Sequence, residues 1–519
     1  MERTKNRLIT YVFGAAAFLN LLLVLCYAPF AEYANKRQAD LPYIVLLAGA
    51  VIALFLLYLL IGRLQDRLAA MFGKGYAATA VLFLAELYWT CNAYFRTGWD
   101  AGDCMMPSAI ELSYGLPVSN AAYFSMCPNN IVLLWIQSRV LKIGWRFSIL
   151  DGGTGDMSLV VFNCLISVIA GLLVYRIVDK LIDRRTALFA WVVYALYMGL
   201  CPWLLISYSD SVALLFPVLV VWLYLGKDRK PWLKWFLIGF FGFGAYYVKP
   251  QACIVLIAVI LVELLEAFHA RNKNWKAFFL KGIAIGLAAL TAYGIQLLIV
   301  RDTGLEPEEG RAFGIAHFLM MGLNEETNGS YWQNDPIFSY DIADPKERSR
   351  ANLQVAGQRV RDYGFTGMIR HLAKKQMVNF GDGAFAWGDE GGFWAAVYDR
   401  RNNYMSGMIR SLYYEFEESN FHVMETYMQF FWVWALCFMS VAALKKRHTR
   451  VEDICMLSVV GLILFQLLFE ARARYIYCYA PLMLVLAAVG FAGFAEKMKN
   501  VIKKCRKQDD INISNGIRL

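Results

Sequence analysis

Residues 76–103 read YAATAVLFLAELYWTCNAYFRTGWDAGD. An apolar, aromatic run from Tyr76 to Phe95 gives way to Thr97-Gly98-Trp99-Asp100-Ala101-Gly102-Asp103, two carboxylates and two glycines in one short loop. The run has the length of roughly 20 residues that a helix needs to cross about 30 Å of hydrocarbon. No other apolar segment of the chain ends so abruptly in acids. A bilayer-spanning helix that delivers two aspartates to the water on one side builds either a proton or ion site or a catalytic site.

The rest of the composition agrees with a membrane setting. The chain has 519 residues, 59% hydrophobic, 15% aromatic and 18% charged, with a mean hydropathy of +0.43. A soluble protein of this length carries more charge and shorter apolar runs. The formal net charge of +10 does not point to nucleic acid, because the basic residues are scattered at the ends of apolar blocks and act as topology signals. None of the 11 cysteines forms a C-x-x-C pair or a Cys/His spacing suited to zinc. With the five histidines scattered as well, no metal site is expected, although a divalent cation on the aspartates stays open. Cys104 and Cys127 both lie in the aspartate loop. An oxidising compartment would allow them to pair, and two free thiols are the alternative.

Twelve apolar blocks are expected to span, at about 8–30, 43–62, 76–96, 157–175, 186–206, 211–226, 233–247, 251–268, 279–300, 427–444, 453–469 and 475–495. Arg3, Lys5 and Arg7 hold the N-terminus inside, and the first short outer loop is balanced by Glu32, Lys36, Arg37 and Asp40. Every second turn then carries three or more basic residues, such as Arg63, Arg67 and Lys74, or Lys445, Lys446, Arg447 and Arg450. The positive-inside rule therefore places both termini in the cytoplasm of a plasma-membrane protein. The stretch 129–145 (NNIVLLWIQSRVLKIGW) is apolar on one side but interrupted by Gln137, Arg139 and Lys142. As a span it would invert every later loop, so it is expected to lie in the interface.

The expected fold class is thus an all-α polytopic membrane protein. Residues 1–300 hold nine spans and the outer loop 97–155; residues 301–426 form a small, mostly helical outer segment; residues 427–496 hold three spans; residues 497–519 form a basic tail. Within the outer segment, Asp344-Pro345 is a good N-cap and first-turn pair for a helix over about 345–363, and a second helix runs from Thr366 to Phe380, stopped by Gly381.

Under this topology four polar clusters share the outer side: Asp100 and Asp103; Tyr208 and Asp210; Lys249-Pro250; and Glu470, Arg472, Arg474 and Tyr475. Each has a plain alternative. The arginines could meet lipid head groups, Lys249 could snorkel, and Asp210 could cap a helix. Together they suit sugar transfer from a phosphate leaving group. Displacement at an anomeric carbon passes through an oxocarbenium-like state and needs a carboxylate to take the acceptor proton. The departing phosphate gathers charge that Arg and Lys stabilise. Ion-coupled transporters place ionisable groups near the bilayer midplane, where only Glu86 and Glu263 stand out.

The order of several motifs resembles the bacterial branch of the GT-C membrane glycosyltransferases grouped with the protein O-mannosyltransferases, family 39. They are the acidic loop itself, CPNN (127–130), YSD (208–210), VKP (248–250), HFLMMGLN (317–324), NFGDGAFAWG (379–388) and FEARARYIYCYAP (469–481). The resemblance spans nearly the whole chain. It implies a GT-C-type fold and a polyprenyl-phosphate-sugar donor used without a required cofactor. The acceptor would be an extracytoplasmic glycan, cell-wall polymer, lipid or protein. It also implies Asp100 as the base with Asp103 as helper or substitute, phosphate contacts from Lys249, Arg472 and Arg474, and a pocket bordered by Tyr208 and Asp210. The acids here are three apart and both Asp, unlike the adjacent Asp-Glu of the eukaryotic mannosyltransferases, which leaves the choice of base and the sugar open. Asn129 and Asn130 could bind sugar hydroxyls or cap the interfacial helix. His317 could touch substrate or pack as core, and Trp387 and Asp389 could line an acceptor groove. The reading from another class is a lipid-linked-sugar flippase or ion-coupled transporter using the same acids.

Overall fold

The computed structural model describes residues 3–4, 7–26, 41–72, 75–146, 156–227, 230–269, 275–387, 394–397, 403–416 and 419–516. Lys5, the loop acids and bases Glu32, Lys36, Arg37 and Asp40, Lys74 and Asp389 lie outside them. Strand β1 (Arg3–Thr4) precedes helices α1 (Arg7–Cys26), α2 (Tyr43–Phe72) and α3 (Tyr76–Ala93). The aspartate loop follows as strand β2 (Phe95–Thr97), a wide π-type turn over Asp100–Met105, helices α4 (Met106–Ser113) and α5 (Ala121–Met126), a tight turn at Pro128–Asn130, and helix α6 (Ile131–Arg146). Helices α7 (Asp156–Leu181), α8 (Arg184–Tyr197), α9 (Ser209–Ala213), α10 (Leu215–Leu225), α11 (Pro231–Val248), α12 (Ile254–His269) and α13 (Trp275–Thr303) complete the first bundle.

The segment 301–426, named the outer segment for the side it is expected to face, contributes α14 (Ile315–Gly322), α15 (Asn334–Asp341), α16 (Pro345–Phe380), strand β3 (Trp394–Val397) and α17 (Tyr404–Tyr413). The chain ends with α18 (Phe421–Ala442), strand β4 (His448–Thr449), α19 (Arg450–Leu468) and α20 (Ala480–Gly516). The expected spans therefore all appear as helices. Among the described residues seven are long and apolar enough to cross a bilayer by length and composition. The others fall short for local reasons. Helix α8 has 14 residues, about 21 Å at 1.5 Å per residue, and the chain continues through a tight turn at Pro202–Leu205. Helices α3 and α18 carry Glu86, Asn92, Glu425 and Gln429, all of them buried against protein.

Two strand pairs modify the all-helical expectation. β1 pairs with β4, and β2 pairs with β3, with Phe95 opposite Val397 and an irregularity between Arg96 and Thr97. The first ties the N-terminus to the turn between α18 and α19. The second ties the loop leaving α3 to the outer segment. Neither was visible as a strand signal, since each ladder is shorter than one period of alternation that sequence reading can detect.

The basic ends of the helices contact one another. Arg185 donates to the Tyr58 carbonyl at 2.7 Å and lies over the Tyr58 ring, as does Lys499. Arg450 reaches Glu266 at 2.9 Å. The intramembrane acids have local partners too: the Ser167 hydroxyl donates to Glu86 at 2.9 Å, while Glu263 takes the Tyr224 hydroxyl at 2.5 Å and pairs with Lys281.

Helix α6 buries one face against protein. Its Ile131, Leu134 and Leu141 are buried while Ile143 is exposed. Trp135 Nε1 donates to Asp302 at 2.7 Å and Arg139 ion-pairs with the same carboxylate, which fastens α6 to the C-terminal end of α13.

The outer segment is built as its caps indicate. The Asp344 side chain accepts from the Glu347 amide at 2.7 Å, and α16 breaks at Gly364, which takes φ 57° and ψ −173°. Two neutral histidines sit inside the segment. His317 Nδ1 is 2.7 Å from Ser339 Oγ and its ring stacks on Phe313 at 4.3 Å. His371 Nδ1 is 2.9 Å from the Tyr363 hydroxyl. Burial holds both imidazoles down at about 4, against about 6.5 in an unfolded chain. The unfolded segment thus binds more protons between those values, so its stability is complete above about pH 6.5 and is lost as pH falls toward 4. Hydrogen exchange corrected for intrinsic rates is expected to show residues 315–322 and 365–380 losing protection over that window. The double variant His317→Asn, His371→Gln is expected to flatten the dependence; an unchanged pH profile in it would remove the histidines as the cause.

Candidate functional site

The helix ends that sequence placed on one side do meet. Asp100 opens the π-type turn after α3, Tyr208 and Asp210 begin α9, Lys249 joins α11 to the turn at Pro250–Cys253, and Glu470 to Arg474 link α19 to the turn at Ala473–Tyr479. Tyr123, from α5, joins the first two. Its hydroxyl donates to Asp100 Oδ2 at 3.2 Å and lies 3.3 Å from the Tyr208 hydroxyl. The buried Asn130 amide donates to both phenol oxygens, at 2.7 Å to Tyr123 and 3.2 Å to Tyr208. Because Asn130 occupies the acceptor side of Tyr123, the phenol proton is left to orient Asp100. Burial, then the neighbouring Tyr208 and Asp100, raise the Tyr123 phenol far above its ordinary range, so it remains a donor.

The cations close the circuit. The Arg474 guanidinium lies 4.4 Å from the Trp99 ring centre, 5.8 Å from that of Tyr208 and 5.3 Å from that of Tyr475. Lys249 Nζ lies 4.6 Å from the other contact of the group, the Tyr475 ring. It also pairs with Asp210 and sits 3.4 Å from Ser209 Oγ. The Tyr475 hydroxyl donates to Glu470 at 2.6 Å. Asp100, Tyr208, Asp210, Lys249, Glu470, Arg474 and Tyr475 therefore form one connected group, with two cations flanking one tyrosine ring.

Local backbone makes this possible. Trp99 takes φ 59° and ψ −167°, a conformation that non-glycine residues rarely adopt and that costs on the order of 1–3 kcal/mol. It places the Trp99 ring against Tyr208 at 5.0 Å and under Arg474. Gly102 packs so tightly that a Cβ there would stand 1.7 Å from the Thr97 carbonyl oxygen. Beside it, a small cleft runs between Thr97, Ala101, Gly102, Met106, Leu159, Leu205 and Ser207.

Other expectations resolve differently. Asp103, on the same turn, is exposed while Asp100 is half-buried. Cys104 and Cys127 are both thiols. Burial followed by Asp100 raises them to about 11 and about 12 respectively. Asp210 does not cap a helix: Tyr208 holds the cap position and Asp210 is fully buried against Lys249. Arg474 is 8% exposed and lies against aromatic rings, whereas Arg472 is half-buried. Asn129 donates to Asn130 at 3.1 Å, so the pair serves the tyrosine network instead of an N-cap. His317 meets Phe313, Phe318 and Ser339 in the outer segment rather than the aspartate group.

Trp387 lines no groove. It is 1% exposed and donates to the Tyr413 carbonyl at 2.7 Å. Its motif is a structural knot in which Asp382 accepts from Ala384 and Ala386 amides at 2.7 and 2.6 Å, with Phe385 and Ala386 at φ 57° and 60°. Among the described residues no cluster of three or more His, Cys, Asp or Glu gathers in a metal-binding arrangement. The residues that sequence reasoning missed are Trp99 and Tyr123. Their signal was only a surplus of aromatics around the acids. Substituting Gly102→Ala is expected to force the turn off Thr97 and speed alkylation of Cys104 several-fold, followed by mass spectrometry; an unaltered rate would mean the turn accommodates a Cβ.

Comparison with known proteins gives a family and a distant likeness. The model of a family described as conserved hypothetical integral membrane protein matches residues 1–493. No curated protein matches the chain. Among solved structures, the archaeal oligosaccharyltransferase AglB from Archaeoglobus fulgidus, in complex with an inhibitory peptide and a dolichol-phosphate, is similar over 82% of this chain at 12% identity and a TM-score of 0.41. The chain spans about half the length of that protein, 52%, and a likeness of this degree assigns no residue a role. The chain belongs to the family of conserved hypothetical integral membrane proteins.

Proposed function

We propose that this protein is an integral-membrane glycosyltransferase of the GT-C type. It would move a sugar from a polyprenyl-phosphate donor to an acceptor on the extracytoplasmic side of the plasma membrane, with both termini in the cytoplasm. The observation that carries the reading is the single connected group in which Asp100 and the two cations Lys249 and Arg474 are joined through Tyr123, Tyr208 and Tyr475. A carboxylate and a cation pair are what a single displacement at an anomeric carbon requires at its two ends.

In that reaction an acceptor hydroxyl oxygen attacks C1 as the bond from C1 to the phosphate oxygen breaks. Asp100 takes the hydroxyl proton, and the phosphate leaves with the bonding electron pair, giving inversion at C1. Lys249 and Arg474 hold the charge that gathers on the leaving phosphate, with Arg472 beside them in sequence. Asp210 keeps Lys249 extended into the group in the absence of substrate. Tyr208, Tyr475, Glu470, Asn129 and Asn130 shape the walls. Asp103, exposed on the far side of the turn, would serve only as a helper.

The test uses purified protein in detergent with polyprenyl-phosphate hexose and follows release of polyprenyl phosphate. Asp100→Asn is expected to lower turnover by about 10²-fold or more while the protein still folds, and Asp103→Asn to retain most of it; near-normal turnover in Asp100→Asn removes the base assignment. Arg474→Ala is expected to raise the apparent donor KM about tenfold or more, and an unchanged donor KM would count against the phosphate role. Product formed in detergent, without two compartments, excludes the flippase and transporter reading. Donor translocation across sealed vesicles with no product would establish it.

A further inference from the structure

The loop at residues 323–333 of the outer segment is locked onto the stretch 470–474 that carries Arg472 and Arg474. The Ala471 amide donates to the Gly329 carbonyl at 2.8 Å, and Ser330 Oγ donates to the Ala471 carbonyl at 3.0 Å. Ala471 is flanked by Glu470 and Arg472. Beneath the loop, Lys375 is fully buried and donates to the carbonyls of Gly322, Leu467 and Phe469 at 2.7, 3.0 and 2.6 Å. Gly329 fits only as glycine: it has φ 82°, and a Cβ would stand 2.6 Å from the Gly322 carbonyl oxygen.

The loop also spends its polar groups on itself. The Gly329 amide goes to Asn324 O at 2.8 Å and Thr327 Oγ1 to Ser330 O at 2.7 Å. Immediately after these anchors come two aromatic side chains left in solvent, Tyr331 at 50% and Trp332 at 38% exposure. The Tyr331 phenol is raised by partial burial and by the charges of Asp100 and Glu470. A tied-down loop thus holds an open aromatic face next to the stretch 470–474, which belongs to the same connected group as Asp100.

We propose that Tyr331, with Trp332 beside it, is the acceptor subsite, a platform on which a neutral sugar ring stacks while one of its hydroxyls reaches Asp100. The proposal rests on the transferase reading. It commits to a glycan acceptor for three reasons. Half-exposed rings beside carboxylates suit the apolar faces and hydroxyl rims of sugars. A peptide would look for free backbone groups, and Gly329 and Ser330, which lead into the two rings, have committed theirs to internal bonds and to Ala471. An anionic polymer would meet Asp100 and Glu470, while Lys249 and Arg474 are buried against Tyr475.

Full-length protein in nanodiscs is titrated with chitohexaose, maltohexaose, mannohexaose, a neutral Ser/Thr-containing dodecapeptide and polyprenyl phosphate, using saturation-transfer NMR for the soluble probes. At least one oligosaccharide is expected to bind, with affinity falling tenfold or more in Tyr331→Ala and less than threefold in Tyr331→Phe. Polyprenyl phosphate binding is expected to stay unchanged in both, and Tyr404→Ala, whose ring is 83% exposed elsewhere, to change nothing. Oligosaccharide binding indifferent to Tyr331→Ala, or peptide binding in place of oligosaccharide, overturns the subsite and leaves the transferase reading standing. Joint loss of polyprenyl phosphate and oligosaccharide in Tyr331→Ala overturns it in favour of a structural role. Wild-type protein that binds no polyprenyl phosphate removes the transferase reading, and the acceptor assignment with it.

Discussion

Two cations held almost out of water set the terms for the rest of the molecule. Lys249 is 4% and Arg474 8% exposed, at the ends of helices that run through hydrocarbon. Removing such charges from water costs several kcal/mol each unless partners replace the lost hydration. The chain uses a different solution for each. Lys249 is given a buried carboxylate, Asp210, whereas Arg474 is laid across the faces of Trp99, Tyr208 and Tyr475. A guanidinium over desolvated aromatic rings gains about 2 kcal/mol or more.

That choice propagates outward. For the Trp99 ring to reach Arg474 and Tyr208, its backbone takes the unfavourable φ of 59°, and the next residue is Asp100. The strain is contained by the β2–β3 ladder on one side and by the close approach of Gly102 to Thr97 on the other. The outer segment adds further ties: the Glu308 amide donates to Ser125 Oγ, the Phe313 amide to the Met126 carbonyl, and the Ala471 amide to Gly329, each at 2.8–3.0 Å. The first two hold the C-terminal end of α5, which carries Tyr123. The outer segment thereby ties α5, whose Tyr123 donates to Asp100, to the stretch that carries Arg474.

The helices were legible because their signal is additive and local. An apolar block of about 20 residues must span or be buried, whatever it packs against, and Asp344-Pro345 caps a helix with atoms from its own turn. Gly364 likewise divides α16 where the sequence already changes from one helix to the next. The candidate site was legible in part. Acids and bases directly at the ends of apolar blocks on the side expected to face out are few, so Asp100, Asp210, Lys249 and Arg474 could be singled out by position. Their pairing could not. Asp210 and Lys249 are 39 positions apart in sequence, and either might have faced Asp100 instead.

Sequence by itself determined that this is a membrane protein, roughly where its apolar helices lie, and which charges stand at their ends. Tertiary structure alone decided that Tyr123 and Trp99 connect those charges, that Trp387 and His317 are packing groups, and that Asp103 turns to solvent while Asp100 turns inward. The physical reason is range. Hydropathy and capping act over one helix and are written in consecutive residues. Hydrogen bonds, ring stacking and the burial of a charge depend on which of many distant side chains arrives within a few ångströms, and that is set only when the helices pack.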